Sequence, residues 1–209
     1  MRSPVLAALV VLTAAACADS TGSLPSGTGI LRLQLTDAPF PSDSVKSVDI
    51  HVVRVDARLA ESDSGEAARG ASDDSASAGG WQTVARPNAS FDLLKLRNGA
   101  FAPIGEDTLP AGVYRGFRLV IDPSKSGVTL KDGMVLTGTS DPSVTFPSAS
   151  RTGIKIVLTQ GITVGADSTS TLRIDFVLDN SFVMRGNSIR RNGLLFKPVV
   201  KATAVAPGT

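Results

Sequence analysis

The sequence predicts an all-β protein: an antiparallel β-sandwich of roughly 8–10 strands, with Greek-key-type connections and one long disordered loop. Three observations predict it. From Gly29 on, the large apolar residues are mostly Val, Ile and Leu, set in short runs that Gly, Pro, Asn and Asp interrupt. The runs recur about every 10–15 residues with no convincing helix between them. No fixed-period repeat stands out, which argues against a propeller or a solenoid. At 209 residues the chain has room for one such domain, expected over residues 29–205, with a short tail at 206–209.

Taken in order, Leu31, Leu33 and Leu35 alternate with polar residues, as a half-buried strand does, until Pro39 and Pro41 break the run. Residues 45–59 are ambiguous. Val45, Val48, Val52, Val55 and Leu59 fall at helical spacing, yet Val48, Ile50 and Val52 also alternate, and Val53, Val55 and Ala57 continue in the opposite phase. Such dense β-branching disfavours a helix, and the change of phase predicts a strand with a bulge. Residues 61–80 hold five Ser, five Ala, four Gly, five acids and one Arg, with no apolar side chain larger than Ala. This stretch cannot offset its own ordering entropy and reads as a disordered insertion between two strands.

Residues 81–84 restart the fold, and Phe91, Leu93, Leu94 and Leu96 follow. Pro110, Ala111 and Gly112 turn into a run over 113–121 that reads as clean alternation: Val113, Arg115, Phe117, Leu119 and Ile121 against Tyr114, Gly116, Arg118 and Val120. Asp132-Gly133 between apolar flanks signals a two-residue hairpin. Further strands are expected over 143–146, 153–158, 170–178, 181–185 and 194–205. Pro198 marks the last as an edge or a bulge.

The N-terminus differs in kind. Arg2 precedes an uncharged run over residues 4–16, too short to span a bilayer, which takes roughly 20 residues. Ala14, Ala15 and Ala16 then precede Cys17, the only cysteine. This arrangement resembles the lipobox of bacterial lipoproteins, although Ala14 stands where Leu is commonest and Leu12 lies further back. The resemblance implies a lipoprotein signal peptide over 1–16 and a covalent lipid such as palmitate on Cys17, with residues 17–28 as a flexible tether. The alternative is an ordinary signal peptide followed by a buried cysteine. In such lipoproteins an acid directly after the cysteine favours the inner membrane. Here Ala18 holds that place and Asp19 is one further on, which leans to the outer membrane, at its periplasmic face or the cell surface.

Little catalytic chemistry is legible. With one His, one Trp, one Tyr and one Cys, the chain excludes zinc fingers, disulfide scaffolds and histidine metal clusters. Near-balanced charge, 21 Lys and Arg against 19 Asp and Glu, gives no compositional sign of nucleic-acid binding. A serine triad would need His51, which sits inside a strand. Paired acids such as Glu106 with Asp107, or Asp175 with Asp179, are unspecific signals of glycosidase chemistry. Asp37 at a strand end reads as a turn-forming residue. The sharper alternative is a Ca²⁺ site shared with Asp175 or Asp179. Arg185, Arg190, Arg191, Lys197 and Lys201 form the densest basic stretch. They read as a solvated face or as a contact for anionic polymers or headgroups. Trp81 reads as a cap on the core.

Five segments in order carry a second resemblance: 33–39, 91–99, 109–114, 153–155 and 196–200. They resemble the bacterial lipoprotein family catalogued as domain of unknown function 4382, over about 29–204. The Leu109-Pro110-Ala111-Gly112-Val113-Tyr114 piece is also similar to the turn-into-strand signature of transthyretin-like and carboxypeptidase-regulatory-like sandwiches. The resemblance implies an envelope β-sandwich without assigned activity and brings no catalytic residues. The expectation is a non-enzymatic module, held to a membrane by its lipid, that binds or scaffolds an envelope protein or polysaccharide. The alternatives are a carbohydrate, small-ligand or calcium binding protein and, last, a hydrolase.

Overall fold

The structure is a computed structural model that describes residues 26–37, 43–60, 80–147, 149 and 151–205. Cys17, the expected signal segment, most of the expected tether, residues 61–79 of the expected insertion and residues 206–209 lie outside the described residues.

Fourteen strands are present among the described residues, more than the expected 8–10. β1 (Thr28–Asp37) buries Leu31, Leu33 and Leu35 completely, and Asp37 continues the same inward row. β2 (Val45–Leu59) is the expected long strand. Its register shifts between Val52 and Arg54, where the phase of its apolar residues changes. That shift lets both Ile50 and Val55 face the core. β3 (Trp81–Ala85) and β4 (Ala89–Asp92) pair along one side of β2. β6 (Gly112–Ile121) and β7 (Gly127–Leu130) pair along the other. β8 (Val135–Thr137) completes the expected Asp132-Gly133 hairpin with β7, and β10 (Ile154–Val164) pairs the free side of β6.

A second sheet runs β14 (Val200–Val205), β11 (Thr169–Phe176), β1, β5 (Ala102–Pro110). β5 was not expected from the sequence. It is an edge strand whose only fully inward apolar side chains are Ile104 and Leu109, so its apolar signal is thin. A small third sheet joins β12 (Phe182–Met184), β13 (Leu194–Phe196) and β9 (Val144–Thr145). The last expected strand therefore splits at Pro198, and its two halves, β13 and β14, serve different sheets. The expected 91–96 strand ends in a 3₁₀ turn at Leu93–Lys95, which buries both Leu93 and Leu94. Two four-residue helices, α1 (Leu178–Ser181) and α2 (Ile189–Asn192), link the late strands.

Pairing is largely antiparallel, as expected, with two exceptions. β1 runs parallel to β11 over eight residues, and β13 runs parallel to β9. β6 also departs from the clean alternation expected of it. Both of its neighbours skip Arg115, so Tyr114 and Phe117 are buried together and Arg115 is left exposed as a bulge. The Tyr114 hydroxyl donates to the Pro110 carbonyl at 3.0 Å. The inward rows of the two large sheets meet in one continuous core. Leu31, Leu33, Leu172, Ile174 and Phe176 come from one side; Ile50, Val55, Phe117, Leu119 and Ile156 come from the other. Each such side chain contributes about 1.5–3 kcal/mol on burial.

Candidate functional site

At the end of β1 the row of leucines finishes in an acid. Asp37 is 5% exposed, and neither carboxylate oxygen has a hydrogen-bond partner among the described residues. The turn bond expected of it is therefore absent there. Its own N–H donates to the Leu96 carbonyl at 3.2 Å, as does the neighbouring Thr36 hydroxyl at 3.0 Å. Asp175, on β11, stands opposite Thr36 of β1 and Lys201 of β14, with its Oδ1 buried and without a hydrogen-bond partner among the described residues. Asp179 lies in the first turn of α1.

The three acids converge electrostatically. Burial and the Asp175 carboxylate push the Asp37 pKa up, with Asp179 adding to them. The nearby Leu178 N–H and Arg97 oppose the shift, and the balance stands at about 7. Burial also raises Asp175, against Lys201. Yet among the described residues no group of three or more His, Cys, Asp or Glu side chains could hold a metal ion. The arrangement is that of a carboxyl holding its proton beside a second carboxyl.

The sign follows from linkage. Between pH 4 and 7 folded Asp37 keeps a proton that the unfolded chain releases, so stability falls as pH rises across that window. Wild type is expected to lose about 1–3 kcal/mol between pH 5 and 8 through this group. Asp37→Asn is expected to flatten that part of the profile and to be the more stable form at pH 8. Denaturant melts at both pH values check this, and an unchanged slope in the variant contradicts it.

His51, the one histidine, is buried and structural. Its Nδ1 meets Ser90 Oγ at 2.9 Å and its Nε2 meets Asn88 Oδ1 at 3.1 Å. Glu106 pairs with Arg32 at 2.7 Å on the exposed face of β5, and Asp107 Oδ1 accepts the Thr108 N–H. The basic stretch near the C-terminus does not form one patch. Arg185 donates to Thr145, Arg190 pairs with Asp132, and Lys201 lies in register with Asp175 on a different sheet. An open cavity of about 450 Å³ lies between the β7–β8 turn and α2, lined by Leu130, Lys131, Asp132, Met184, Ile189 and Arg190.

A cluster that sequence reading missed sits on the outward face of β3, β2, β6 and β10. Register places Trp81, Arg58, Gly116 and Val157 in one row across these strands, and Thr83, Asp56, Arg118 and Lys155 in the next. Asp56 is fully buried and Arg118 is 1% exposed, although both point away from the core. Asp56 Oδ2 accepts from Arg118 Nε at 2.8 Å and Arg54 Nε at 3.0 Å; its Oδ1 accepts from the Thr83 hydroxyl at 2.8 Å. Arg86 donates to that same hydroxyl at 3.3 Å. The Trp81 ring lies 4.7 Å from the Arg118 guanidinium and 5.1 Å from that of Arg58. It reaches over Gly116, where an added Cβ would stand 3.4 Å from the indole. Trp81 is thus half-exposed on the outer face, not a cap on the core. The alternation of Arg54, Asp56 and Arg58 was the available signal; Arg118, 62 positions away from Asp56, was not.

A family model described as Domain of unknown function (DUF4382) matches residues 28–198. No curated protein matches the chain, and no solved structure does.

Proposed function

The chain belongs to the DUF4382 family, and on that premise we propose that it is a lipid-anchored lipoprotein of the bacterial cell envelope, a non-enzymatic β-sandwich module that binds or scaffolds an envelope or extracellular component. One observation carries the reading: the only cysteine stands directly after an uncharged run that ends in three alanines. In this reading Cys17 becomes the acylated first residue, and more than one acyl chain makes the anchoring stable. Ala18 after it leans to the outer membrane. The β-sheet body then presents its surfaces within the reach of the tether from the bilayer.

The described chemistry supports a binding role over a catalytic one. Both ring nitrogens of His51 are engaged by Ser90 and Asn88, and Asp56 and Arg118 neutralise each other in a buried pair. A ligand-binding reading draws on one observation, the half-buried indole of Trp81 on the outer face of the sheet.

Cys17→Ser tests the anchor. The variant is expected to lose incorporation of labelled palmitate completely and to leave the membrane fraction after a high-salt wash, which strips charge-held proteins. Continued labelling, or retention through that wash, contradicts the proposal.

A further inference from the structure

We propose that the outward face of β11, β1 and β5, centred on Arg173 and Phe101, binds an acidic polysaccharide through its uronate sugars. This rests on the binding reading above and deepens it by naming the component. Strand register builds the face. Leu33, Leu35, Leu172 and Ile174 point into the core, so Gln34 and Arg173, which alternate with them, point out. Thr203, Arg173, Gln34 and Pro103 lie in one row across β14, β11, β1 and β5. Val205, Thr171, Arg32 and Glu106 lie in the next.

Arg173 differs from the other charged residues of this face. Arg32 pairs with Glu106 at 2.7 Å, and Asp175 stands opposite Lys201. Arg173 has no carboxylate partner among the described residues. Its Nε and Nη2 both donate to one neutral acceptor, Gln34 Oε1, at the long distances of 3.4 and 3.2 Å. Its Nη1 has no hydrogen-bond partner among the described residues. A guanidinium so placed keeps an open edge for a carboxylate, which it binds with paired N–H donors.

Phe101 supplies the second element. It is 47% exposed, and its ring lies 5.2 Å from the Arg173 guanidinium. The turn before it is fixed. Asn98 and Gly99 have φ of 59° and 85°, and the Ala100 N–H donates to the Arg97 carbonyl at 3.2 Å. The Thr36 hydroxyl donates to the Ala100 carbonyl at 2.8 Å, which ties the turn to β1. An exposed phenyl beside a guanidinium suits a sugar acid. The phenyl takes the apolar C–H face of the pyranose, and the guanidinium takes its carboxylate. A neutral sugar would leave the guanidinium unmatched, and a small aliphatic anion would leave the phenyl face unused. In a uronate the carboxylate is bonded to the sugar ring itself, as the closeness of phenyl and guanidinium requires. Thr171 and Thr203 stand on the same face, beside and opposite Arg173, where their hydroxyls can meet those of the sugar.

The full chain, extracted in a non-ionic detergent, is titrated calorimetrically at pH 7 with an oligomer of galacturonate. It is expected to bind the oligomer saturably, and to bind a neutral galactose oligomer of the same length at least about tenfold more weakly. Phe101→Ala and Thr203→Asp are each expected to weaken uronate binding at least about tenfold, with the melting temperature within about 3 °C of wild type. Thr203 is exposed, and an aspartate there sets a carboxylate opposite Arg173 that competes for the guanidinium. If Phe101→Ala unfolds, Thr203→Asp decides. Absence of saturable binding overturns the proposal. So does undiminished binding by a folded variant, equal affinity for the neutral oligomer, or tighter binding of a single-stranded oligonucleotide. Failure of the titration for a chain acylated at Cys17 leaves the anchored module standing with a different component. Uronate binding by a chain whose Cys17 proves unacylated removes the anchor and leaves the face.

Discussion

Arg118→Ala is expected to destabilise the protein by about 3–5 kcal/mol, lowering its melting temperature by about 6–15 °C. Arg118 and Asp56 are 1% and 0% exposed, and their ion pair spans β6 and β2, the strands at the middle of the larger sheet. Removing the guanidinium leaves Asp56 as a buried charge that keeps, from the bonds described above, Arg54, itself partly exposed, and the Thr83 hydroxyl. It also withdraws a cation from beneath Trp81, so the indole loses its seat. The asymmetry between breaking and replacing a buried pair gives a second readout. Asp56→Leu with Arg118→Met should be less damaging than Arg118→Ala alone. A melting temperature within about 2 °C of wild type for Arg118→Ala would show that the pair is solvated and the account of this face mistaken.

Gly193→Ala is expected to cost about 3 kcal/mol or more. Gly193 adopts φ 72° and ψ −160°, backbone that is essentially confined to glycine. A Cβ there would stand 2.1 Å from the Ser143 carbonyl oxygen, the acceptor of the Leu194 N–H that joins β13 to β9. Neither chain can shift without breaking that bond. The damage would reach the aromatic group beneath it, where Phe196 packs against Phe146 at 5.1 Å and Phe182 at 5.0 Å. Gly133→Ala isolates the backbone contribution. Gly133 also has positive φ, at 93°, but an added Cβ meets nothing within 4 Å, so about 1 kcal/mol is expected. Equal losses at the two positions, measured by denaturant unfolding, would show that the clash with Ser143 relaxes at no cost.

What the sequence made legible follows from what strand periodicity can report. The bulge in β2 showed as a change of phase between Val52 and Val53, and the β7–β8 hairpin as Asp132-Gly133. The phase of Leu31, Leu33 and Leu35 already placed Asp37 on the inward row. It could not say that the carboxylate would lie near Asp175, because the parallel pairing of β1 with β11 joins residues about 140 positions apart. β5 escaped notice because an edge strand buries little. The misreading of β6 has a similar origin. Tyr114 and Phe117 belong to one face only because Arg115 bulges, and nothing local to that run announces it.

The cluster around Asp56 and Arg118 shows the same limit more sharply. Composition spoke against a concentrated positive surface, and the densest run of basic residues along the chain, from Arg185 to Lys201, is divided between sheets. The charged cluster around Asp56 arises instead by register, from Arg54 and Arg58 on β2 and Arg118 on β6, with Arg86 just beyond β3. Pairing across strands decides which charges become neighbours, and one-dimensional spacing does not record it.

The central claim is that this β-sandwich is tied to a membrane through Cys17. Intact-mass spectrometry of the protein extracted from the envelope of its native host tests it most directly. The account predicts a chain that begins at Cys17 and carries the added mass of a diacylglyceryl group, with or without a third acyl chain on its amino group. A chain that begins elsewhere, or one that begins at Cys17 with an unmodified thiol, would contradict it.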